Sequence, residues 1–507
     1  MSAVPVRRLV RALLILTAGL PAVAEPPLPW GDQGDGTYRN PILPADYSDP
    51  EVIRVGADFY LVASDFHFVG IQVLHSRDLV NWRIVGQVFS RLAMDPKYDE
   101  MRGYAEGTWA PSLRYHAGRF YLYVCTPHDG LFQWTAVNPA GPWSEMVTVK
   151  AVDRWEDPCP FWDDDGQAYL VHSLKGAGPL ILHKMSADGT RLLDDGVVIY
   201  RGPVAEGPKV YKRHGWYYIS LPEGGVDKGG QTVLRSRAIY GPYERREVLP
   251  AGSPHQGGLV ELDNGEAWFI AFRSAGFLGR ICHLLPVRWG ADDWPVFGDD
   301  GRTVAQWRKP DVGAGAPIVH PQTSDDFEGA ALAPQWQWNH NPVPGAWSLA
   351  ARPGWLRLRG LPAAELALAR NTLTQKLWGE SGAVDVKLDG GALSDGQRAG
   401  LAFMSGKVFD AIGLVRQRGT TRLYWNGGTG PEVNGGVIWL RGTFAGDAAR
   451  LLYSVGGATY VDSGASITLK FAQWKGARLA VFAFGEGGGA ADFDYVHITP
   501  ESRPEKP

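Results

Sequence analysis

DFYLV (Asp58–Val62), GRFYLYV (Gly118–Val124), GQAYLVH (Gly166–His172), GWYYISL (Gly215–Leu221) and GEAWFIA (Gly265–Ala271) are five versions of one strand core. Their central aromatics, Tyr60, Tyr121, Tyr169, Tyr218 and Trp268, are spaced 61, 48, 49 and 50 residues apart. Ten or eleven residues before each stands a chain-bending residue: Pro50, Pro111, Pro158, Pro208 and Gly258. Aromatic-aliphatic runs bounded by Gly and Pro read as strands. A repeat near fifty residues built wholly of strands reads as a β-propeller with one four-stranded blade per unit. Five units predict five blades over residues 36–310. The long first spacing has a local cause, because the polar stretch Arg91–Gly107 is inserted between the first two units.

Outward from the repeat, the chain has 507 residues with 64 Gly, 36 Pro and 20 Trp, and 45% of it is hydrophobic, enough for sizeable cores. Tryptophan in that number exceeds ordinary core needs and suits sugar-stacking platforms. Residues 1–24 read as an export signal: Arg7, Arg8 and Arg11, an apolar run from Leu13 to Leu20, then Ala22-Val23-Ala24 as a cleavage pattern. The predicted location is the periplasm or the exterior, and no other segment approaches a membrane span. The whole chain carries −4, and without the three leader arginines it is more acidic still. With no basic stripe, nucleic acid is a poor partner. The three cysteines, Cys125, Cys159 and Cys282, show no metal-ligand spacing and read as buried small residues. Oligomeric state leaves no mark in the sequence.

Just before the five corners stand Asp49 (YSDP), Ala110 (GTWAP), Asp157 (WEDP), Glu206 (AEGP) and His255 (PHQGG). In a propeller such positions gather at one mouth of the central channel. Carboxylates crowded there repel one another unless a proton, ligand or metal relieves them, so function explains them better than structure does. Asp before Pro also starts turns; the shared phase with the repeat is what a turn former would not supply. A protonated carboxyl opposite an ionised one is the requirement of glycoside hydrolysis, and a third carboxylate nearby raises the pKa of the acid. Glu156 competes with Asp157, but strand alternation sends neighbours to opposite faces, and the phase of Asp49 selects Asp157.

Residues 311–323 (DVGAGAPIVHPQT) lack periodicity and read as a linker. From 324 to 500, short alternating strands such as AVDVKLDG (Ala383–Gly390), GVIWLRG (Gly436–Gly442) and RLAVFAF (Arg478–Phe484) predict an antiparallel β-sandwich. The fold class is therefore all-β: a five-bladed propeller followed by a sandwich.

The segments YRNPILPADYSDPEVIRVGADFYLVAS, LHSRDLVNWRIVGQV, GTWAPSLRYHAGRFYLY, EDPCPFWDDDGQAYLVHS, AEGPKVYKRHGWYYISLPEGG and HQGGLVELDNGEAWFIAFRS with FLGRICHLLPVRW resemble family 43 glycoside hydrolases. Those are five-bladed propellers that cleave arabinose- and xylose-containing glycans with inversion. The resemblance implies Asp49 as general base, Asp157 as modulator of the acid's pKa and Glu206 as general acid, with no cofactor required. It implies Trp109 as a pocket wall, Arg280 as a sugar contact, and Phe66 with His67 near the sugar subsite. It places His255 near the channel axis, where some relatives hold a calcium ion through water, so a structural calcium is allowed for. Glu223 in LPEGG is out of phase and reads at most as pocket-lining. The implied substrate is a xylo- or arabino-oligosaccharide or polysaccharide of the plant cell wall.

The second half, with DDFEGAALAPQWQWNHNPVPGAWSL and ADFDYVHI, resembles the concanavalin-A-like jelly-roll domain of family 43 β-xylosidases, where a sandwich loop closes the pocket. Here the stretch Gly485–Gly489 is short and glycine-rich, which predicts a more open pocket. Asn339, His340 and Trp347 read as domain packing. Retaining sucrose-cleaving propellers carry WxNDPNG, RDP and EC motifs, where this chain has YSDP, WEDP and AEGP. A non-catalytic carbohydrate-binding propeller is the remaining alternative, and intact acids at three phased corners argue against it.

Overall fold

The computed structural model describes residues 30–313 and 315–501, so the export signal expected at 1–24 lies outside the described residues. Among the described residues no helix is long and apolar enough to cross a membrane. Five antiparallel four-stranded sheets follow one another. Their innermost strands are Ser48–Val55, Trp109–His116, Trp155–Trp162, Lys209–Arg213 and His255–Glu261. Each of the five repeated aromatics lies on the second strand of its blade, as the repeat predicts. These rings pack across blade boundaries: Tyr60 meets Phe120 edge-on at 5.2 Å, and Tyr218 meets Trp289 at 5.1 Å. The ring is closed outside the blades, where Thr37–Arg39 pairs antiparallel with Gln306–Arg308.

The corners share one backbone device. Asp49, Ala110, Asp157, Gly207 and Gln256 all have positive φ, at 51°, 34°, 56°, 55° and 50°. Four of them lie where the ladder slips, between Ser48 and Glu51, Trp109 and Ser112, Glu156 and Cys159, and His255 and Gly257. Proline cannot donate to the ladder, so Pro50, Pro111 and Pro158 are accommodated at bulges. A left-handed non-glycine residue costs roughly 1–2 kcal/mol, a strain that typically persists at functional sites. The left-handed position in the fourth blade is Gly207, one residue after Glu206. In the fifth it is Gln256 rather than His255.

The sandwich consists of two seven-stranded antiparallel sheets. Strand Ser381–Asp389 shows why: Val384, Val386 and Leu388 point into the core, while Asp385 and Lys387 alternate outward. The core of the sandwich continues into the propeller through Val69, Leu92, Tyr98, Phe277 and Leu278. The insertion Arg91–Gly107 explains itself here. Its Tyr104 hydroxyl donates to the Ala367 carbonyl at 2.8 Å, its Asp99 pairs with Arg370 at 2.9 Å, and Asn341 caps Leu92 from the sandwich at 2.7 Å. Asn339 donates to Tyr104, and His340 packs against His67 and Tyr104, so both serve domain packing. Trp347 packs on Trp338 within the sandwich. Of the expected linker 311–323, Asp311 bonds Asn264 and Glu266 of the fifth blade, whereas Val319 and Gln322 bond Asn81 and Ile84 of the first, Gln322 and Ile84 exchanging two hydrogen bonds. The three cysteines are buried and unbridged.

Candidate active site

At one mouth of the channel lies a pocket of about 230 Å³. Of the residues expected at the site, Asp49, Asp157, Glu206, Trp109, Phe66 and Arg280 line it. Asp49 is nearly buried and accepts from Ser64 Oγ at 2.6 Å and from the Arg280 guanidinium at 2.9 Å. Arg280 is only 3% exposed, and its Nε has no hydrogen-bond partner among the described residues, so it is no surface salt bridge. Trp109 is held by its indole N–H on the Ala105 carbonyl and touches Phe66 edge-on at 5.6 Å.

The other acids form a different environment. Glu156, Asp157 and Glu206 each offer a carboxylate oxygen within 4.8 Å of the others, and Asp49 stands outside that group. Burial first, then the charges of Asp157 and Asp49, pushes the Glu206 carboxyl up to about 8. Burial and Asp49 raise Asp157 to about 7, against the Gly207 N–H that donates to it at 2.7 Å. Burial and Asp157 raise Glu156 to about 9. Three like charges this close cannot all ionise, and their titrations belong to the group. The cluster therefore holds protons at neutral pH, and Glu206 Oε1 is buried with no hydrogen-bond partner among the described residues.

Glu156 overturns an expectation, for it lines the pocket rather than facing away. The bulge is the reason: Glu156 pairs with Ser173 and Cys159 with Val171, so Asp157 and Pro158 together oppose one residue and alternation is lost. Glu223 is absent from the pocket lining; its carboxylate takes Tyr200, Thr232 and Arg245. His67 is buried beside Phe68, Tyr104 and His340 at the domain interface.

His255 sits beside the pocket rather than in its lining, against Phe272, and the fifth blade presents Gln256 instead. Its Nδ1 is engaged by the Ser253 carbonyl at 2.8 Å. Burial holds this ring below its ordinary pKa, hence neutral. It belongs to no cluster of three ligand-type side chains among the described residues. Calcium favours six to eight oxygens, so one imidazole nitrogen is a poor fit for it.

The sandwich does reach the pocket, against the prediction of an open one. Trp474 lines it, packing on Trp109 at 5.9 Å and over Arg280 at 5.6 Å. It comes from the turn before strand Arg478–Phe484, the opposite end of that strand from Gly485–Gly489. Lys175 also lines the pocket, with its ammonium 5.8 Å from the Trp109 ring. Neither residue carries a motif; FAQWKG (Phe471–Gly476), an aromatic-rich turn between strands, was the available hint. A second cavity, about 450 Å³, opens at the other end of the inner strands. The buried Glu51 lines it, paired with Lys209 at 2.5 Å and Arg114 at 2.8 Å.

Residues 38–295 match the profile of glycosyl hydrolases family 43, and residues 324–499 match the β-xylosidase C-terminal concanavalin A-like domain. This chain belongs to glycoside hydrolase family 43. It is 49% identical to a putative β-xylosidase of Xylanibacter ruminicola over 89% of this chain and 87% of that one. A β-xylosidase of Formosa agariphila is 35% identical, over 92% and 91%. A non-reducing end α-L-arabinofuranosidase of Bacteroides ovatus is 36% identical over 64% and 65%. Among solved structures, xylan β-1,4-xylosidase from Bacillus halodurans superposes with a TM-score of 0.80 at 27% identity, covering 91% of this chain and 100% of that one. The chain is thus a glycosidase of an inverting family whose enzymes are generally cofactor-independent for catalysis.

Proposed function

We propose that the pocket removes a terminal β-D-xylosyl or α-L-arabinofuranosyl unit from a plant cell-wall glycan, with Asp49 as base, Glu206 as acid and Asp157 as the group that tunes and aims the acid. The observation that carries this reading is the electrostatic split within one small pocket: a carboxylate held by a guanidinium on one side, a buried proton-holding cluster on the other. A volume of about 230 Å³ is below the usual range for ligand pockets and suits a single pentose at a chain end. Asp49 takes a proton from water as the water oxygen bonds to the anomeric carbon. The bond to the leaving oxygen breaks, and that oxygen receives the proton of Glu206. Asp157 raises the acid's pKa through its charge and is itself anchored on the Gly207 N–H. Trp109, Phe66 and Trp474 supply apolar walls for the sugar. The names of the β-xylosidase and arabinofuranosidase relatives support both pentoses, which can place similar atoms in one site. The leader at 1–24 supports action in the periplasm or exterior, where such glycans are met.

The test assays the wild type, Asp49→Ala and Glu206→Ala on an aryl β-xyloside and an aryl α-arabinofuranoside with poor leaving groups, with NMR of the first-formed anomer. Activity in the wild type alone and an inverted product are expected. A retained product sinks the role of Asp49, and a wild type inactive on every glycoside points to a binding protein.

A further inference from the structure

Asp46 lies three residues before the proposed base and is buried at the junction of the two domains. Three of its four polar contacts reach the pocket residue Arg280 or the sandwich. Its Oδ1 accepts from the Arg280 backbone N–H and from Ser48 Oγ, both at 3.0 Å. Its Oδ2 accepts from the Gly476 N–H at 3.0 Å and pairs with the Lys475 ammonium at 2.8 Å. Lys475, only 2% exposed, also donates to the Ser64 carbonyl at 2.8 Å. Ser64 in turn donates its hydroxyl to Asp49 and accepts the Ala110 N–H at 2.6 Å. Both hydrogen-bond donors of Asp49, the Ser64 hydroxyl and the Arg280 guanidinium, thus belong to residues that the Asp46–Lys475 pair grips by their backbones.

The backbones approach closely here. A Cβ on Gly476 would lie 2.4 Å from the Leu278 carbonyl oxygen, and one on Gly279 would lie 2.5 Å from Asp46 Oδ1. The contact therefore has one seating and little slack.

We infer that Lys475 and Asp46 are positioning residues for the base: the sandwich domain fixes the direction of Asp49 through Ser64 and Arg280, beyond closing the pocket with Trp474. The inference rests on Asp49 being the base. A buried ion pair is weak evidence for stability by itself, whereas a misplacement of about 1 Å in catalytic geometry costs on the order of 100-fold in rate. Positioning is the effect such a pair delivers best.

The experiment is a double-mutant cycle of Lys475→Met and Ser64→Ala in the full chain, with Asp49→Ala, Trp474→Ala and Lys475→Arg alongside. If Lys475 acts through Ser64, each single substitution lowers kcat by roughly 10- to 100-fold with KM little moved. The double variant then loses about as much as the worse single one, and Lys475→Arg restores part of kcat. Trp474→Ala, which removes a pocket wall, raises KM. Multiplicative losses in the double variant, or a KM effect alone in Lys475→Met, overturn the inference. If Lys475→Met does not fold, Asp46→Asn takes its place in the cycle with the same two outcomes. Failure of the underlying reading looks different, because Asp49→Ala would then keep its activity whatever the cycle shows.

Discussion

The first blade and the third present an acid on the same backbone device, a left-handed residue before proline at a bulge. Their surroundings are opposite. Asp49 is met by a guanidinium and a hydroxyl. Asp157 is met by one backbone N–H and two further carboxyls, Glu156 and the Glu206 of the next blade. The strand geometry that delivers a carboxyl to the channel mouth therefore does not set its protonation. Neighbours do, and they come from elsewhere: Arg280 from the fifth blade, Ser64 from the adjacent strand, Glu206 from the turn before the fourth.

The sharpest way to break this contrast is by leaving group. Asp49→Ala should lose about 10²–10⁴-fold in kcat on every aryl glycoside. Glu206→Ala should lose as much on poor leaving groups and recover most of it on dinitrophenyl glycosides, which need no proton. Equal losses on both would erase the distinction between the two sides. Arg280→Met strips the guanidinium from Asp49 and leaves a buried carboxylate alone, so urea unfolding should show a loss of about 3–5 kcal/mol.

Next comes pH. Glu206 must carry its proton, and its carboxyl is raised to about 8, so activity should fall as pH climbs through about 8. Asp157→Asn removes the largest charge contribution to that rise. Ionising Glu206 then costs less, and the basic limb of kcat/KM should move to lower pH; an unmoved limb would break the link. Stability follows the same sign. Glu156 is raised to about 9 by burial and Asp157, so it binds its proton more tightly folded than unfolded. Its contribution is whole below about pH 4 and is lost as pH rises through about 9. The melting temperature of Glu156→Gln minus that of the wild type should grow between pH 5 and 9. The smallest effect is Trp474→Ala, where loss of an aromatic wall worth about 1 kcal/mol should raise KM several-fold in steady-state kinetics.

Much of the site is written in the chain because the propeller is a repeat. Asp49, Asp157 and Glu206 were found from one phase, and the blades placed them together as that phase requires. The phase was coarse by a residue or two in the last two blades: Glu206 precedes its left-handed Gly207, and Gln256, not His255, faces the pocket. Strand alternation does not place Glu156, because it breaks at the bulge that holds Asp157 and Pro158. Trp474 and Asp46 lie outside the repeated strand cores, with only the aromatic-rich FAQWKG turn to hint at Trp474, while Lys175 follows its repeated aromatic by six residues as Phe66 does.

The sequence alone determined whatever repeats: five blades, the aromatic second strands, the bent corners and the three acids carried on them. It could do so because a propeller turns a period along the chain into a ring in space. Only the tertiary structure decided which acid meets a cation, which acids share protons, and which sandwich turn reaches the channel. The cation contacts join residues hundreds of positions apart, such as Asp49 with Arg280 or Asp46 with Lys475, and the proton-sharing acids come from two blades, so no local pattern encodes them.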